Sequence, residues 1–284
     1  MSESAKRICG ERAHGREAHP DGARGQAARA EDGAGSADDV RGRLKLLFDF
    51  DGTLHKTDEI YVPAFREGLA WLKDQGQEVP PAPENPDEIG YWLGYSTVEM
   101  WKNFAPDLPC EWREKAAGVV GAGMRRRAAD GGAKLYPGIA DALDSFRAQG
   151  YVPVFLSNCH HDYMELFRGL LGLDRWFSHY FCAEDYGWKP KSLVFSEEAA
   201  PVLADPVKSL HEQFIMIGDR FHDMGVARDS GLLSIGCAYG FGKPEELKPA
   251  TLVVDDAREL PDAVERLCMR LRAESAPQGT PTCS

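Results

Sequence analysis

Short apolar runs, each close to Gly, Ser, Asn or Asp, recur along most of the chain. They cover residues 44–48, 152–156, 180–182, 214–217, 234–237 and 252–254. Runs of this length and continuity are typical of strands that are buried on both faces of a parallel sheet. Segments with helical spacing lie between the runs. In one of them Ile139, Leu143 and Phe146 mark a single face, and Gly150 then ends the helix.

The interval between the first and second runs contains no convincing strand. Its apolar residues instead predict helices over 62–73, 87–101 and 111–127, and it is rich in Trp and Tyr. Candidate hinges lie at both ends, at 58–59 and at 131–132. We therefore expect a helical cap over 58–133, inserted into an α/β core formed by 43–57 and 134–272. Strand–helix alternation in that core predicts a doubly wound, Rossmann-like, mostly parallel sheet.

Both ends of the chain are poor in large aliphatic residues. Besides Met1, segment 1–42 contains only Ile8 and Val40 of this type, and segment 273–284 contains none. Such segments bury too little apolar area to offset the entropy cost of ordering, so we expect two disordered tails.

Charge and cysteine content narrow the classes of function. The 284 residues carry a formal net charge of −12, which disfavours binding to nucleic acid or to an anionic membrane surface. No apolar run approaches the length of a transmembrane helix. Seven scattered cysteines without CxxC spacing predict reduced thiols in a cytoplasmic protein, with neither a disulfide framework nor a zinc site.

Residues that can carry chemistry follow the apolar runs, at the predicted carboxyl ends of the strands. Open α/β sheets bind their ligands at that edge. The candidates are Asp49, Asp51 and Thr53 after the first run, Ser157 and Asn158 after the second, Lys189 after the third, and Asp219 and Asp223 after the fourth. The sequence thus predicts acids, hydroxyls and a lysine at one site.

This combination suits phosphoryl transfer. The carboxylates of Asp49, Asp219 and Asp223 offer the oxygen ligands that Mg²⁺ prefers, and without a cation they would repel one another. The cation, the lysine and the hydroxyls together can hold a phosphoryl group. A carboxylate can attack it to give an aspartyl-phosphate. Asp51 can then protonate the leaving oxygen and later take a proton from water.

The same residues resemble a known family. The segment FDFDGTL at 48–54 resembles the first motif of the haloacid dehalogenase-like (HAD) superfamily of phosphohydrolases. Ser157–Asn158 is similar to its second motif, Lys189–Pro190 to its third, and Gly218–Asp219 with Asp223 to its fourth. The four motifs stand in the family's order. Segments 136–138 and 238–242 resemble the phosphoglycolate-phosphatase-like branch, which carries a helical cap between the first two motifs.

The resemblance implies a role for each candidate. Asp49 would be the nucleophile and a magnesium ligand, and Asp51 would be the general acid/base, with its backbone carbonyl on the metal. Asp219 and Asp223 would be further magnesium ligands. The phosphate-binding residues would be Thr53, Ser157, Asn158 and Lys189. The dehalogenases of the superfamily lack the second acid of the first motif. Asp51 therefore favours phosphoryl transfer over cleavage of a carbon–halogen bond.

We accordingly expect a Mg²⁺-dependent phosphatase that hydrolyses a small phosphorylated metabolite, a phosphomonoester. A phosphomutase of the same superfamily and a non-catalytic phospholigand-binding protein are the alternatives. The hypothesis requires Asp219 and Lys189 to lie within reach of Asp49. It leaves open whether the substrate is phosphoglycolate, a sugar phosphate, a nucleotide or pyrophosphate, and it makes no prediction of oligomeric state. We expect His160, His161 and His222 to be substrate contacts or exposed residues rather than metal ligands.

Overall fold

A computed structural model of the protein describes residues 44–275, so the predicted tail at 1–42 and most of that at 273–284 lie outside the described residues. Six strands form one sheet. They are β1 (Lys45–Phe48), β2 (Val152–Ser157), β3 (Tyr180–Cys182), β4 (Phe214–Gly218), β5 (Leu233–Cys237) and β6 (Leu252–Val254). Their order is β3-β2-β1-β4-β5-β6, and every pairing is parallel. The predicted doubly wound α/β fold is confirmed.

The sheet is buried on both faces, as its continuous apolar runs predict. In β1, Leu47 packs into one apolar layer while Leu46 and Phe48 pack into the other. Pro153 is accommodated because it is the second residue of β2, and the neighbouring β3 pairs with β2 only from Phe155 onward. No ladder hydrogen bond to β3 is therefore lost at the proline.

Helices fill the interval between β1 and β2. They are α1 (Asp58–Asp74), α2 (Pro86–Gly90), α3 (Thr97–Phe104) and α4 (Cys110–Arg127), followed by a π-helical turn at Ala128–Gly132. Here α1 and α4 pack along each other, and the aromatic side chains of Phe65, Trp101 and Phe104 contact one another.

The single helix predicted over 87–101 is wrong. Gly94 adopts a left-handed conformation with φ of 88°, and Ser96 begins a new helix through a capping box with Glu99. The chain therefore turns between α2 and α3, and residues 91–96 form a loop that faces the sheet edge. A Cβ at Gly94 would lie 2.9 Å from Cγ of Arg220, so this loop approaches the core closely.

The remaining helices cover the sheet. They are α5 (Ile139–Ala148), α6 (His161–Leu171), α7 (Lys191–Leu193), α8 (Ala200–Leu203), α9 (Phe221–Ser230), α10 (Pro244–Leu247) and α11 (Leu260–Ser275), with a π-helical turn at Val194–Ala199 between α7 and α8. Over residues 44–275, no helix is both long enough and apolar enough to cross a membrane.

Candidate active site

Three buried carboxylates meet at the carboxyl edge of the sheet. Asp49 follows the central strand β1, while Asp219 and Asp223 follow its neighbour β4. Asp49 is 2% exposed, and the other two are fully buried. One carboxylate oxygen from each lies within 4.8 Å of the others. The sheet topology thus brings together three acids that are up to 174 residues apart in sequence.

A buried lysine neutralises part of this charge. Lys191, the first residue of α7, donates from Nζ to Oδ1 of Asp49 at 2.7 Å and to Oδ1 of Asp223 at 2.8 Å. Burial alone would lower the pKa of Lys191, but the carboxylates of Asp223 and Asp49 more than offset that and raise it. Lys191 is therefore a charged cross-link between the loops after β1 and β4.

Lys189, the lysine predicted for this place, lies elsewhere. Its Nζ donates to Glu197 at 2.8 Å and to Glu198 at 2.7 Å, on the solvent-exposed side of the π-helical turn. The reason is the backbone of the preceding turn, in which Gly187 and Trp188 both have positive φ, 68° and 62°. That turn directs Lys189 outward and brings Lys191 to the acids. The prediction for Lys189 is wrong, and so is the requirement that Lys189 lie within reach of Asp49. Lys191 takes that place and supplies the positive charge next to Asp49.

The residues at this edge fit a divalent cation. Burial, and after it the negative charge of Asp223, raises the pKa of Asp49 to about 7. Burial together with the neighbouring Asp49 and Asp223 holds the pKa of Asp219 well above its usual range. Oδ2 of Asp49 is buried without a hydrogen-bond partner. A cation bound by oxygen ligands would both stabilise the charged carboxylates and give that oxygen a partner.

Close packing of loops fixes the position of Asp219. Its Oδ2 accepts from the backbone N–H of Phe241 at 2.7 Å, and its Oδ1 accepts from Oγ1 of Thr53 at 3.2 Å. Gly52, with φ of 84°, packs directly against the Asp219 carboxylate, where a Cβ would overlap it. Thr53, predicted to bind phosphate, is fully buried and hydrogen-bonded to Asp219 instead.

The second acid of the first motif is held from two sides. Oδ1 of Asp51 accepts from Oγ1 of Thr57 and from Oη of Tyr163, each at 2.7 Å. Thr57 in turn contacts Nδ1 of His55 at 2.7 Å. The carboxylate keeps 15% exposure, in contrast to Asp49. Its second oxygen is therefore available to another group in the site.

The two predicted residues after β2 differ in their surroundings. Ser157 is the last residue of β2 and is 4% exposed, on the strand next to β1. Nδ2 of Asn158 donates to the backbone carbonyl of Gly94, in the loop between α2 and α3, at 3.2 Å. In this structure Asn158 thus contacts the inserted helices, while Ser157 ends beside the site.

A profile of the haloacid dehalogenase-like hydrolases matches residues 46–231, which include all four motifs and the three buried acids. The chain belongs to this family. The resemblance inferred from the motifs is confirmed, and the protein is an enzyme of the hydrolase class.

Individual members of the HAD family are similar over most of the chain. Pyrophosphatase PpaX from Listeria innocua is 25% identical over 205 residues, 71% of this chain and 86% of the relative. A phosphoglycolate phosphatase from Agrobacterium fabrum is 26% identical over 227 residues, 78% of this chain and 92% of the relative. The crystal structure of a predicted phosphatase from Clostridium acetobutylicum superposes with a TM-score of 0.63 at 25% identity, covering 79% of this chain and 99% of that one.

Sequence reasoning on this HAD chain missed several residues of the site. Lys191 carried a detectable signal, since it is a second lysine only two positions from the predicted one. Thr57 and Tyr163 carried none, because each reaches Asp51 through tertiary packing. Arg220 also gave no signal, although it is fully buried and donates from Nη1 to the backbone carbonyls of Tyr91 and Leu93.

Proposed function

We propose that this hydrolase is a Mg²⁺-dependent phosphatase that cleaves a small phosphomonoester through an aspartyl-phosphate on Asp49. The observation that carries the proposal is the asymmetry of the Asp49 carboxylate. Its Oδ1 is bonded to Lys191, and its Oδ2 is buried and free of any hydrogen-bond partner. A carboxylate with one neutralised oxygen and one unpartnered oxygen is suited to bind cationic and electrophilic groups.

Asp49, Asp219 and Asp223 would hold the metal ion. When bound, Mg²⁺ neutralises negative charge on the acids and on the phosphoryl oxygens. Lys191 supplies a fixed positive charge between Asp49 and Asp223. The loops packed around Asp219 keep the acids in place, so the charge pattern exists before the substrate arrives.

The first step forms a bond between a carboxylate oxygen of Asp49 and phosphorus while the bond from phosphorus to the ester oxygen breaks. Lys191 stabilises the charge on Asp49 and on the phosphoryl group during this exchange. Asp51 in its protonated form gives its proton to the leaving oxygen, so that an alcohol departs. Thr57 and Tyr163, both bonded to Oδ1 of Asp51, orient the carboxyl so that its other oxygen faces the leaving group.

The second step releases inorganic phosphate. Water attacks the phosphorus of the aspartyl-phosphate, Asp51 takes the proton from that water, and the bond to Asp49 breaks. Asp49 is thereby regenerated as a carboxylate and Asp51 as an acid. Asp51 acts first as an acid and then as a base, because the proton moves in opposite directions in the two steps.

Two observations support a small substrate. Asp49 is 2% exposed, and the loop between α2 and α3 contacts Asn158 at the same sheet edge, so we infer that the space at this edge is confined and that the loop moves to admit the substrate. The relatives are named for pyrophosphate and phosphoglycolate, which are both compact phosphorylated molecules. We infer that this chain likewise acts on a small phosphorylated metabolite, in the cytoplasm.

Phosphate release from a panel of phosphomonoesters, with Mg²⁺ and then with EDTA, tests the proposal. We expect turnover with Mg²⁺, its loss with EDTA, and its return on adding Mg²⁺. Asp49→Asn should lower kcat by at least about 10⁴-fold. Asp141→Asn, on the exposed face of α5, is the matched control and should not change it.

Three results would overturn the proposal. These are unchanged turnover by the folded Asp49→Asn variant, full turnover in EDTA, and inertness toward the whole panel. Interconversion of sugar phosphates with little free phosphate would indicate a phosphomutase, since that enzyme returns the phosphoryl group to the substrate.

A further inference from the structure

A second group of metal-binding side chains lies at the carboxyl ends of β2 and β3, outside the set of acids around Asp49. It has a different chemistry, because it includes sulfur and nitrogen donors as well as oxygen. Its members are Cys159, His160 and His161 after β2, and Cys182, Glu184 and Asp185 at the end of β3. Two thiols, two imidazoles and two carboxylates thus come from two short segments on adjacent strands.

Three of these side chains converge on one point. One ligand atom each from His161, Cys182 and Asp185 lies within 4.8 Å of the other two. Nδ1 of His161 is 3.0 Å from Oδ1 of Asp185. Cys182 is fully buried, whereas His161 and Asp185 face solvent, so a cation can enter from the surface and meet the thiol at the base.

The thiol at the base is suited to ligation. Cys182 at the base and Cys159 after β2 are the two thiols of the group, and both are buried. The thiolate is the form of a cysteine that binds metals, and a coordinated cation itself favours that form. Both cysteines are free thiols.

The backbone around the group is already arranged. Oε2 of Glu184 accepts from the backbone N–H of His161 at 2.9 Å, at the first turn of α6. The ring of His160 contacts that of Trp188, with centroids 4.6 Å apart. These contacts hold the start of α6 against the turn at Ala183–Tyr186, so the imidazole and the carboxylate are positioned without a metal.

We propose that His161, Cys182 and Asp185 form a second metal site, for Zn²⁺ or a divalent cation of similar softness. Nitrogen, sulfur and a single carboxylate are ligands that Zn²⁺ accepts in tetrahedral sites, while Mg²⁺ prefers oxygen alone. Three protein ligands leave the fourth position of a tetrahedral site for water or another group. The cation would join the loop after β2, which begins at Ser157 and Asn158, to the turn after β3.

The proposed site differs from the kind of site that cysteine spacing detects. The expectation of no zinc site rested on the absence of a CxxC pair, which places two ligands in one loop. Here the ligands come one or two at a time from separate strand ends, which parallel pairing of β2 with β3 brings together. The inference does not depend on the proposed phosphatase activity, because it concerns different residues.

Titration with Co²⁺ tests the site, since Co²⁺ replaces Zn²⁺ and a thiolate ligand gives it an intense charge-transfer absorption. The full chain is kept reduced, with excess Mg²⁺ to occupy oxygen-only sites. The pH is held at about 8, above the ordinary pKa of histidine, so that the imidazole is neutral and able to bind a metal. We expect the band to saturate at one Co²⁺ per chain and to disappear when Zn²⁺ is added.

Variants separate this site from others in the chain. Cys182→Ser should abolish the band, and His161→Ala should weaken Co²⁺ binding by at least about tenfold. His211→Ala is the matched control, because His211 also pairs with a carboxylate on the surface, Glu274 at 2.9 Å, and it should not change binding. Asp219→Asn removes an oxygen ligand of the catalytic site and should leave the band intact.

Two outcomes overturn the inference. One is the absence of a thiolate band in the reduced, folded protein. The other is an unchanged Co²⁺ affinity in His161→Ala, because His161 would then not be a ligand. Circular dichroism of each variant shows that it is folded, and His161→Ala serves if the buried Cys182→Ser variant is not. A band that persists in Asp219→Asn separates this result from any failure of the phosphatase proposal.

Discussion

The sheet edge around Asp49 and the helical interval above it manage charge in opposite ways. At the edge, Lys191 is 3% exposed and Asp223 is fully buried, and each is neutralised by the other. In the helical interval, the ion pair between Arg126 and Glu67 joins side chains that are 58% and 41% exposed. The core of that interval is aromatic, with Phe65 stacked on Trp101.

The difference in burial between these ion pairs indicates which charges we expect to matter for turnover. Burying an ion pair costs a desolvation free energy that its Coulomb attraction repays only in part, so stability alone does not favour one. An exposed pair costs little and contributes little. We therefore expect substitutions at the sheet edge to affect turnover far more than substitutions among the surface pairs of the cap.

Lys191, the first residue of α7, and Lys189, two positions before it, give the largest contrast. Lys191→Met removes the charge between Asp49 and Asp223, and we expect kcat to fall by roughly 10³-fold. Lys189→Met removes only contacts to Glu197 and Glu198 at the surface and should leave kcat within about twofold. Steady-state phosphate release with saturating Mg²⁺ measures both.

Equal losses in the two variants would break the comparison. Denaturant unfolding in Mg²⁺ checks that Lys191→Met is folded, because removing one partner leaves two buried acids facing each other. If that variant does not fold, Lys191→Arg keeps the charge and changes only its geometry. A large loss in Lys189→Met alone would return the role to the residue predicted from sequence.

The outcome for these lysines shows where sequence reasoning ends. All six strands were predictable, because each is a short, nearly continuous apolar run, and such a run is typical of a strand buried on both faces of a sheet. Convergence of Asp49, Asp219 and Asp223 was also predictable, since parallel strands end at one edge. The choice between Lys189 and Lys191 was not, because it depends on two successive positive φ values at Gly187 and Trp188. Tryptophan rarely adopts a positive φ, so its presence in the sequence does not predict this conformation.

The contacts of the loop formed by residues 91–96 could not be predicted from the sequence, for a related reason. The periodicity of residues 87–101 is compatible with one helix, and the break became evident only from the left-handed Gly94 and the capping box at Ser96. That loop supplies the carbonyl that Asn158 contacts. Site residues whose partners lie on another element are thus fixed by tertiary packing, which a local pattern does not encode.

Arg220 joins the loop between α2 and α3 to the sheet edge. Its substitution therefore tests how far each region depends on the other. Its Nη1 bonds to backbone carbonyls of the loop between α2 and α3, and its Nε donates to Glu246 at 2.9 Å. Arg220→Met should lower the free energy of unfolding by about 3 kcal/mol, because Glu246, whose side chain is only 13% exposed, loses its ionic partner and the carbonyls of Tyr91 and Leu93 lose a donor. Urea unfolding measures this, with Arg258→Met as the exposed control.

Amide hydrogen exchange in residues 91–96 gives the second readout for Arg220. We expect faster exchange there in Arg220→Met than in the parent protein, with little change in β1 and β4. Exchange that stays slow would mean that aromatic packing, rather than Arg220, holds the loop on the core.

Substitution of Tyr163 tests how strongly turnover depends on the exact position of the Asp51 carboxyl group. Tyr163→Phe removes one of two donors to Oδ1 of Asp51, and a hydrogen bond to a charged group contributes about 1.5–3 kcal/mol. Since Thr57 remains, we expect kcat to fall by roughly tenfold with little change in KM. Tyr180→Phe, which loses a similar bond to Asp174 at the surface, should have no effect. A rise in KM with kcat unchanged would instead place Tyr163 in substrate binding.

The smallest effect is expected at Glu67, in the cap. Hydrogen bonds from Arg127 first, and from Arg126, lower the pKa of Glu67 to about 2. A carboxylate with a depressed pKa contributes stability above its unfolded pKa of about 4.3 and loses it as the pH falls through about 2. Because Glu67 is largely exposed, Glu67→Gln should cost less than about 1 kcal/mol at pH 7, and less again at high salt. Urea unfolding of both proteins between pH 7 and pH 2 measures the difference, which should shrink as the pH falls. A cost above about 2 kcal/mol at pH 7 would show that surface charge in the cap matters as much as buried charge at the sheet edge.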